Sequence, residues 1–306
     1  MVMPVCISPR DPHAVAAEVQ AAYREMFPEG DPLFVSRVFG WTIQAFRGEV
    51  PGYQSADTGY HDLEHTLLET LCFARLLLSR HRAGVEPQLT QRHFELGLLA
   101  VLFHDAGYLK RAGDLEGTGA KYTLVHVHRS AEFARALLQA QGYPPGDVQT
   151  VETMILCTGL DARPESLPFA DEAERVVGCA LGTADLLAQM AAEDYLEKLP
   201  ALYAEFAEAA AYARDPQSFV AVYRSPEDLL RRTPEFWEQW ARPRLERELG
   251  GVYRFLNDPY PDGPNEYLER IEQHMARLRA RFGLTGAGSP GEAWYRADQQ
   301  DSTGFV

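Results

Sequence analysis

Apolar residues recur near every 3.6 positions along most of the chain. Val15, Val19, Ala22 and Met26 fall on one face, as do Phe34, Val38, Trp41 and Ala45. Phe94, Leu98, Val101 and Asp105 repeat the pattern, and so do Val148, Val151 and Ile155. This spacing belongs to amphipathic helices, and alternating strand patterns are absent. It predicts an all-α chain with helices over 12–27, 32–47, 61–82, 90–105, 127–141, 146–158, 171–193, 195–213, 226–231, 234–249 and 264–282. Breakers fall between them: Pro51-Gly52 and Gly59, Gly84 and Pro87, Gly107 and Gly113, and Pro144-Pro145-Gly146. Beyond Gly283 the sequence turns small and polar with little period, which predicts a mobile tail.

Composition narrows the function classes. The 306 residues are 46% hydrophobic, ample for a full core, and carry a formal net charge of −15. Such an acidic surface repels a nucleic-acid backbone, whereas a small phosphorylated substrate stays compatible with it. Cys6, Cys72, Cys157 and Cys179 are scattered and form no C-x-x-C pair, which argues against both a disulfide framework and a thiolate zinc site. Reduced cysteines point to the cytoplasm. No stretch approaches the roughly 18 apolar residues of a membrane span, and no signal peptide is evident.

Three short stretches carry chemistry. In YHDLEH, His61 and His65 stand four residues apart, which in a helix puts both on one face about 6 Å apart at Cβ. The stripe continues into Leu68 and Cys72, so the imidazoles are expected to face inward. In LFHDAGY, His104 and Asp105 end a strongly apolar helix, where a carboxylate is costly unless it is paired or bound to a cation. In ALGTADLLAQM, Asp185 is the only charge on a helix that is apolar nearly all round. Each stretch alone also fits a satisfied structural polar group. Together they suggest a nitrogen and oxygen donor set for Zn, Fe, Mn, Ni or Mg.

The ordered set H…HD…D resembles the HD-domain superfamily of metal-dependent phosphohydrolases, and YHDLEH looks like the YHNxxH segment of its cyclic-nucleotide phosphodiesterase-like branch. The resemblance spans about Tyr60 to Met190. It implies an HD-domain, phosphodiesterase-like helical bundle with 51–195 as the metal-binding core. Around it, 1–50 are expected to pack on the core, 196–283 to form a C-terminal helical extension of the same domain, and 284–306 to be the tail. The resemblance implies that His65, His104, Asp105 and Asp185 hold a first divalent metal. Asp105 would bridge to a second metal if one binds, and His61 would be the proton donor to the leaving oxygen. Asp62 stands where the branch has Asn, and Tyr108 lies near the place of a further His usually found beyond the HD pair.

The chemistry expected is attack of a metal-activated water on phosphorus, with His61 as general acid and Asp105 central to the site. The nearest basic residues, Lys110, Arg111, Lys121 and Arg129, are candidates to meet phosphate oxygens, beside the EGTGA loop. His126 and His128 are candidates for a second-metal ligand or a phosphate contact, and Asp62 and Glu64 for acceptors that orient the histidines. Solvated or capping roles are the alternative for each. The aromatic stripes after residue 195 are expected to pack helices, with Tyr195, Phe236, Trp237 and Trp240 as candidate pocket walls.

The reading is a phosphohydrolase of a small phosphoester, with nucleotides and cyclic nucleotides as candidates although no base-reading glutamine is matched. Expected partners are the small phosphorylated substrate alone, with no nucleic-acid polymer and no membrane, and with a homodimer left open. The alternatives are an HD-fold di-iron oxygenase and a non-catalytic metal-binding sensor or scaffold.

Overall fold

A computed structural model describes residues 10–214 and 218–284. Cys6 and nearly all of the expected tail lie outside the described residues. The protein is all-α, and among the described residues no strand forms. An isolated bridge pairs Tyr53 with Arg111.

The N-terminal helices are α1 (Pro12–Met26) and α2 (Phe34–Phe46). Then come α3 (Leu63–Arg82), α4 (Gln91–Phe103), α5 (His126–Ala140), α6 (Pro145–Leu156) and α7 (Glu172–Met190). They are followed by α8 (Tyr195–Ala213), α9 (Pro226–Phe236), α10 (Arg242–Arg247) and α11 (Glu266–Phe282).

The core centres on α3, α4 and α7, which all contact one another. Leu98, Leu99 and Leu102 of α4 and Leu181, Ala184 and Leu187 of α7 are fully buried there. The approach is close enough to need a glycine: a Cβ on Gly97 would lie 2.5 Å from Val177 Cγ1 and 2.6 Å from Phe73 Cζ. Helix α1 packs on α3, α6 on α4, and α5 on α6. The C-terminal helices join the same core, since α8 packs on α9 and α11 on both α7 and α9.

Side-chain caps set the starts of α3 and α4. Helix α3 begins at Leu63 rather than 61, because the Asp62 side chain accepts the His65 backbone N–H at 2.9 Å. His61 therefore precedes the helix, and Asp62 caps α3. Thr90 caps α4 in a reciprocal box with His93.

The expected break near Pro234 is absent. The chain runs helically from Pro226 through Arg247, with a widened π turn over Trp237–Ala241 in which the Arg242 N–H bonds the Trp237 carbonyl. A proline removes one backbone donor, and this turn resets the hydrogen-bond register three residues later. Cys72, Cys157 and Cys179 are buried and unbridged, as expected. No helix among the described residues is long and apolar enough to cross a membrane.

Candidate metal centre

The end of α4 and the start of α3 meet at the centre of the bundle. His104 caps α4, and Asp105 follows with φ −108° and ψ 6°, between α4 and the short 3-10 turn Ala106–Tyr108. That break aims two adjacent side chains at α3. Gly107 makes the break fit, since a Cβ there would lie 2.0 Å from the His126 carbonyl oxygen.

His65, Glu69, His104 and Asp105 form a buried group whose ligand atoms all lie within 4.8 Å of one another. His65 Nε2 is 2.7 Å from Glu69 Oε1 and 3.4 Å from Asp105 Oδ2. His104 Nε2 is 2.8 Å from Glu69 Oε2 and 3.4 Å from Asp105 Oδ2. Despite these distances, both Glu69 oxygens, His104 Nε2 and Asp105 Oδ2 have no partner of hydrogen-bonding geometry among the described residues.

Buried polar atoms are normally satisfied. Four orphans converging on one point are what a donor set for a cation looks like. The tautomer agrees: His104 Nδ1–H donates to the Val101 carbonyl at 2.7 Å, which leaves the Nε2 lone pair facing the cluster. The residues present therefore fit a divalent metal.

Without a cation the charges balance among themselves. Burial alone would lower the His65 imidazole, but Glu69 and Asp105 overrule it and raise it to about 9. Burial opposes a raised His104 in the same way, and Asp105 and Glu69 lift it well above its ordinary value. Burial would raise the Glu69 and Asp105 carboxyls, yet the imidazoles hold both below the usual range. Asp185, from α7, stands just outside the group of four. Burial and then repulsion by Glu69 and Asp105 push it up to about 7, despite opposing attraction from His104 and His65. Its Oδ1 accepts the Gln189 Nε2 at 3.4 Å.

On the far side of Asp105, His126 Nε2 is 3.8 Å from Oδ1. His126 Nδ1–H donates to the Thr123 carbonyl at 2.6 Å, so this imidazole too presents a lone pair. Burial lowers it to about 4. His61 and His126 both stack on Tyr108, with ring centroids 4.5 and 4.7 Å away.

His61 Nδ1 is 2.5 Å from Glu205 Oε2, while Glu205 Oε1 accepts the Tyr60 and His61 backbone N–H groups at 2.6 and 3.3 Å. A buried carboxylate from α8 thus fixes the loop that carries His61. His61, Asp105, His126 and Asp185 line one cavity of about 170 Å³.

The cationic candidates lie elsewhere. None of Lys110, Arg111, Lys121, Arg129 and His128 lines this cavity. Lys110 Nζ pairs with Asp57 at 2.8 Å and donates to the Gly117 carbonyl, and Lys121 Nζ pairs with Asp114 at 2.5 Å. Arg129 donates to the Gly107 and Leu109 carbonyls and stacks on Tyr122, Arg111 lies over Tyr53, and His128 is exposed. The lysines and arginines brace the 107–122 loop behind the HD turn. Glu64 bonds Arg10 instead of a histidine.

Two residues escaped the sequence reading. Glu69 sits one helical turn beyond His65, and that spacing was available as a signal; Glu205 comes from a helix with no motif. Of the aromatic candidates, Tyr195, Phe236 and Trp240 line the cavity, while Trp237 is buried in the core and donates Nε1–H to Glu272.

Residues 114–253 match the family described as Npun_R2479-like. No curated protein matches the chain. Among solved structures it resembles the crystal structure of the phosphodiesterase domain of RhoPDE fusion protein from the choanoflagellate Salpingoeca rosetta. The TM-score is 0.56 at 15% identity, over 88% of this chain and 91% of that one. The chain therefore has the helical architecture of a phosphodiesterase domain, with a buried His, Glu and Asp group that could hold a metal ion at its centre.

Proposed function

We propose that this protein is a metal-dependent phosphohydrolase acting on a small phosphoester. The observation that carries the reading is the orphaned donor set of Glu69, His104 and Asp105, opening through Asp105 onto a cavity that also holds His61. His65, Glu69, His104 and Asp105 would hold one divalent cation, with Asp185 as a further ligand from α7. A divalent metal supplies positive charge to a phosphoryl oxygen and lowers the pKa of a water molecule. The nitrogen and oxygen donors suit Zn, Mn, Fe, Ni or Mg.

The chain's own residues do the rest. Asp105 turns one oxygen toward His65 and His104 and the other toward His126, the arrangement a second cation would need. Glu205 binds His61 Nδ1, which leaves Nε2 to give a proton to the leaving oxygen as ester cleavage proceeds. Phosphoryl charge would be met by metal and imidazole, since the loop cations already serve carboxylates and carbonyls. The largely apolar cavity wall lowers the local dielectric and would strengthen these interactions. The partner is then a small phosphorylated molecule.

The test is hydrolysis of bis-p-nitrophenyl phosphate by metal-loaded protein, with metal content measured on the same sample. Wild type should turn over, and Asp105→Ala should lose both metal and activity. A fully chelated sample that hydrolyses the ester as fast as the loaded one would overturn the reading.

A further inference from the structure

The cavity runs from the metal end outward between α7, α8, α9 and the π turn at 237–241. Its far wall includes Leu186, Leu202, Phe206, Leu229, Phe236 and Trp240. The amide, threonine and guanidinium side chains in the lining are committed to the protein itself. Gln189 accepts the Tyr60 O–H at 2.6 Å and donates to the Asp185 carbonyl at 2.8 Å. Thr158 and Thr233 hydroxyls donate to the carbonyls of Ile155 and Leu229.

Arg244 is 4% exposed. Its two terminal nitrogens donate to the carbonyls of Leu160, Gly159 and Cys157 and to Glu248. What else is polar in the far wall is the acceptor lone pairs of those threonine hydroxyls and the phenolic groups of Tyr195 and Tyr223. A phenol is a single donor and acceptor point, whereas the edge of a nucleobase needs paired donors and acceptors in register. Buried base edges without them would be left unsatisfied.

Size points the same way. The cavity is about 170 Å³. An apolar cavity of roughly 150 Å³ takes a benzene-sized guest. The phosphoryl group shares that volume, so base and ribose together exceed what is left.

We propose that the alcohol half of the substrate is an apolar group no larger than about a benzene ring, aryl or short alkyl, and not a nucleoside. The claim rests on the phosphohydrolase reading for the other half of the substrate and on the far wall for this half.

Two arms keep the claims apart. In the first, the protein as purified is titrated with neutral benzyl alcohol and with adenosine, read by calorimetry and by the fluorescence of its tryptophans. Burying a phenyl ring should make benzyl alcohol bind roughly ten- to hundredfold more tightly than adenosine. Adenosine binding as tightly or more tightly overturns the proposal, and so does the absence of measurable benzyl alcohol binding.

In the second arm, the metal-loaded protein is given benzyl phosphate, methyl phosphate and adenosine 5′-monophosphate, whose leaving alcohols are of similar acidity. Benzyl phosphate should lead in kcat/KM by at least about tenfold over both. If no ester is cleaved while benzyl alcohol is still selected, the pocket assignment stands and the phosphohydrolase reading falls. If all three are cleaved alike and adenosine binds as well as benzyl alcohol, the hydrolase reading stands and the pocket assignment falls.

Discussion

Replacing Glu69 by Gln tests the centre of the site with almost no change of shape. Glu69 is fully buried between two imidazoles, 2.7 Å from His65 Nε2 and 2.8 Å from His104 Nε2. In metal-free protein its charge, with that of Asp105, holds His65 up from 6.5 to about 9. At about 1.36 kcal/mol per tenfold, that shift is worth about 3 kcal/mol. Removing one partner of a buried charged pair costs a similar amount, about 3–5 kcal/mol.

Because the folded-state pKa of His65 is raised, this stabilisation is complete below pH 6.5 and is lost as pH rises through about 9. Metal-free Glu69→Gln should therefore melt lower than wild type at pH 6. At roughly 2–4 °C per kcal/mol, the deficit is on the order of 10 °C. The gap should narrow toward pH 9.5. Added divalent metal should raise the wild-type melting temperature and do little for the variant, which lacks a ligand. Differential scanning calorimetry with and without metal reads both. A variant that keeps the full metal-induced shift, with a wild-type gap that is flat in pH, would refute the placement of Glu69 in the donor set.

Metal loading should release protons at pH 7.5, since His65 at about 9 and His104 above its ordinary value must lose them to bind; affinity should rise with pH, and titration calorimetry in buffers of different ionisation enthalpy would show the error as a buffer-independent heat. Glu205→Gln should lower kcat about 10²-fold while leaving metal content unchanged, because the His61 loop loses its carboxylate anchor. Equal loss of metal and activity would instead assign Glu205 to general folding. Gly107→Ala puts a methyl 2.0 Å from the His126 carbonyl and should cost about 1–3 kcal/mol, with a wild-type melting temperature as the contrary result.

The elements were legible because burial and helical period coincide in this fold. The helix patterns of the core match those observed within a few residues; the start of α3 differs because a single side chain, the Asp62 cap, sets it. The break near Pro234 was misplaced for a different reason. A proline marks a lost donor, but whether the helix stops depends on whether a neighbouring turn can take up the shift, which here the π turn does.

For the site, His65, His104 and Asp105 stand out in sequence because polar residues on an apolar stripe are costly. Glu69 follows the same rule, since it lies one turn beyond His65 on the inward stripe, but it belongs to no motif. Glu205 and the far wall lie beyond any local rule. They come from helices separated from the HD pair by about a hundred residues, and only packing brings them within 3 Å of His61 or around the cavity.

This division has a chemical consequence. Local sequence sets which atoms can bind a cation, while the distant C-terminal helices set what fits beside it. Changes confined to residues 195–244 can therefore alter the substrate and leave the donor set intact. In this chain the motifs point to His65, His104 and Asp105 and are silent on the rest of the cavity. On the proposed reading the far wall, with its amide and guanidinium already bonded inward, is the part of the structure that would select the alcohol.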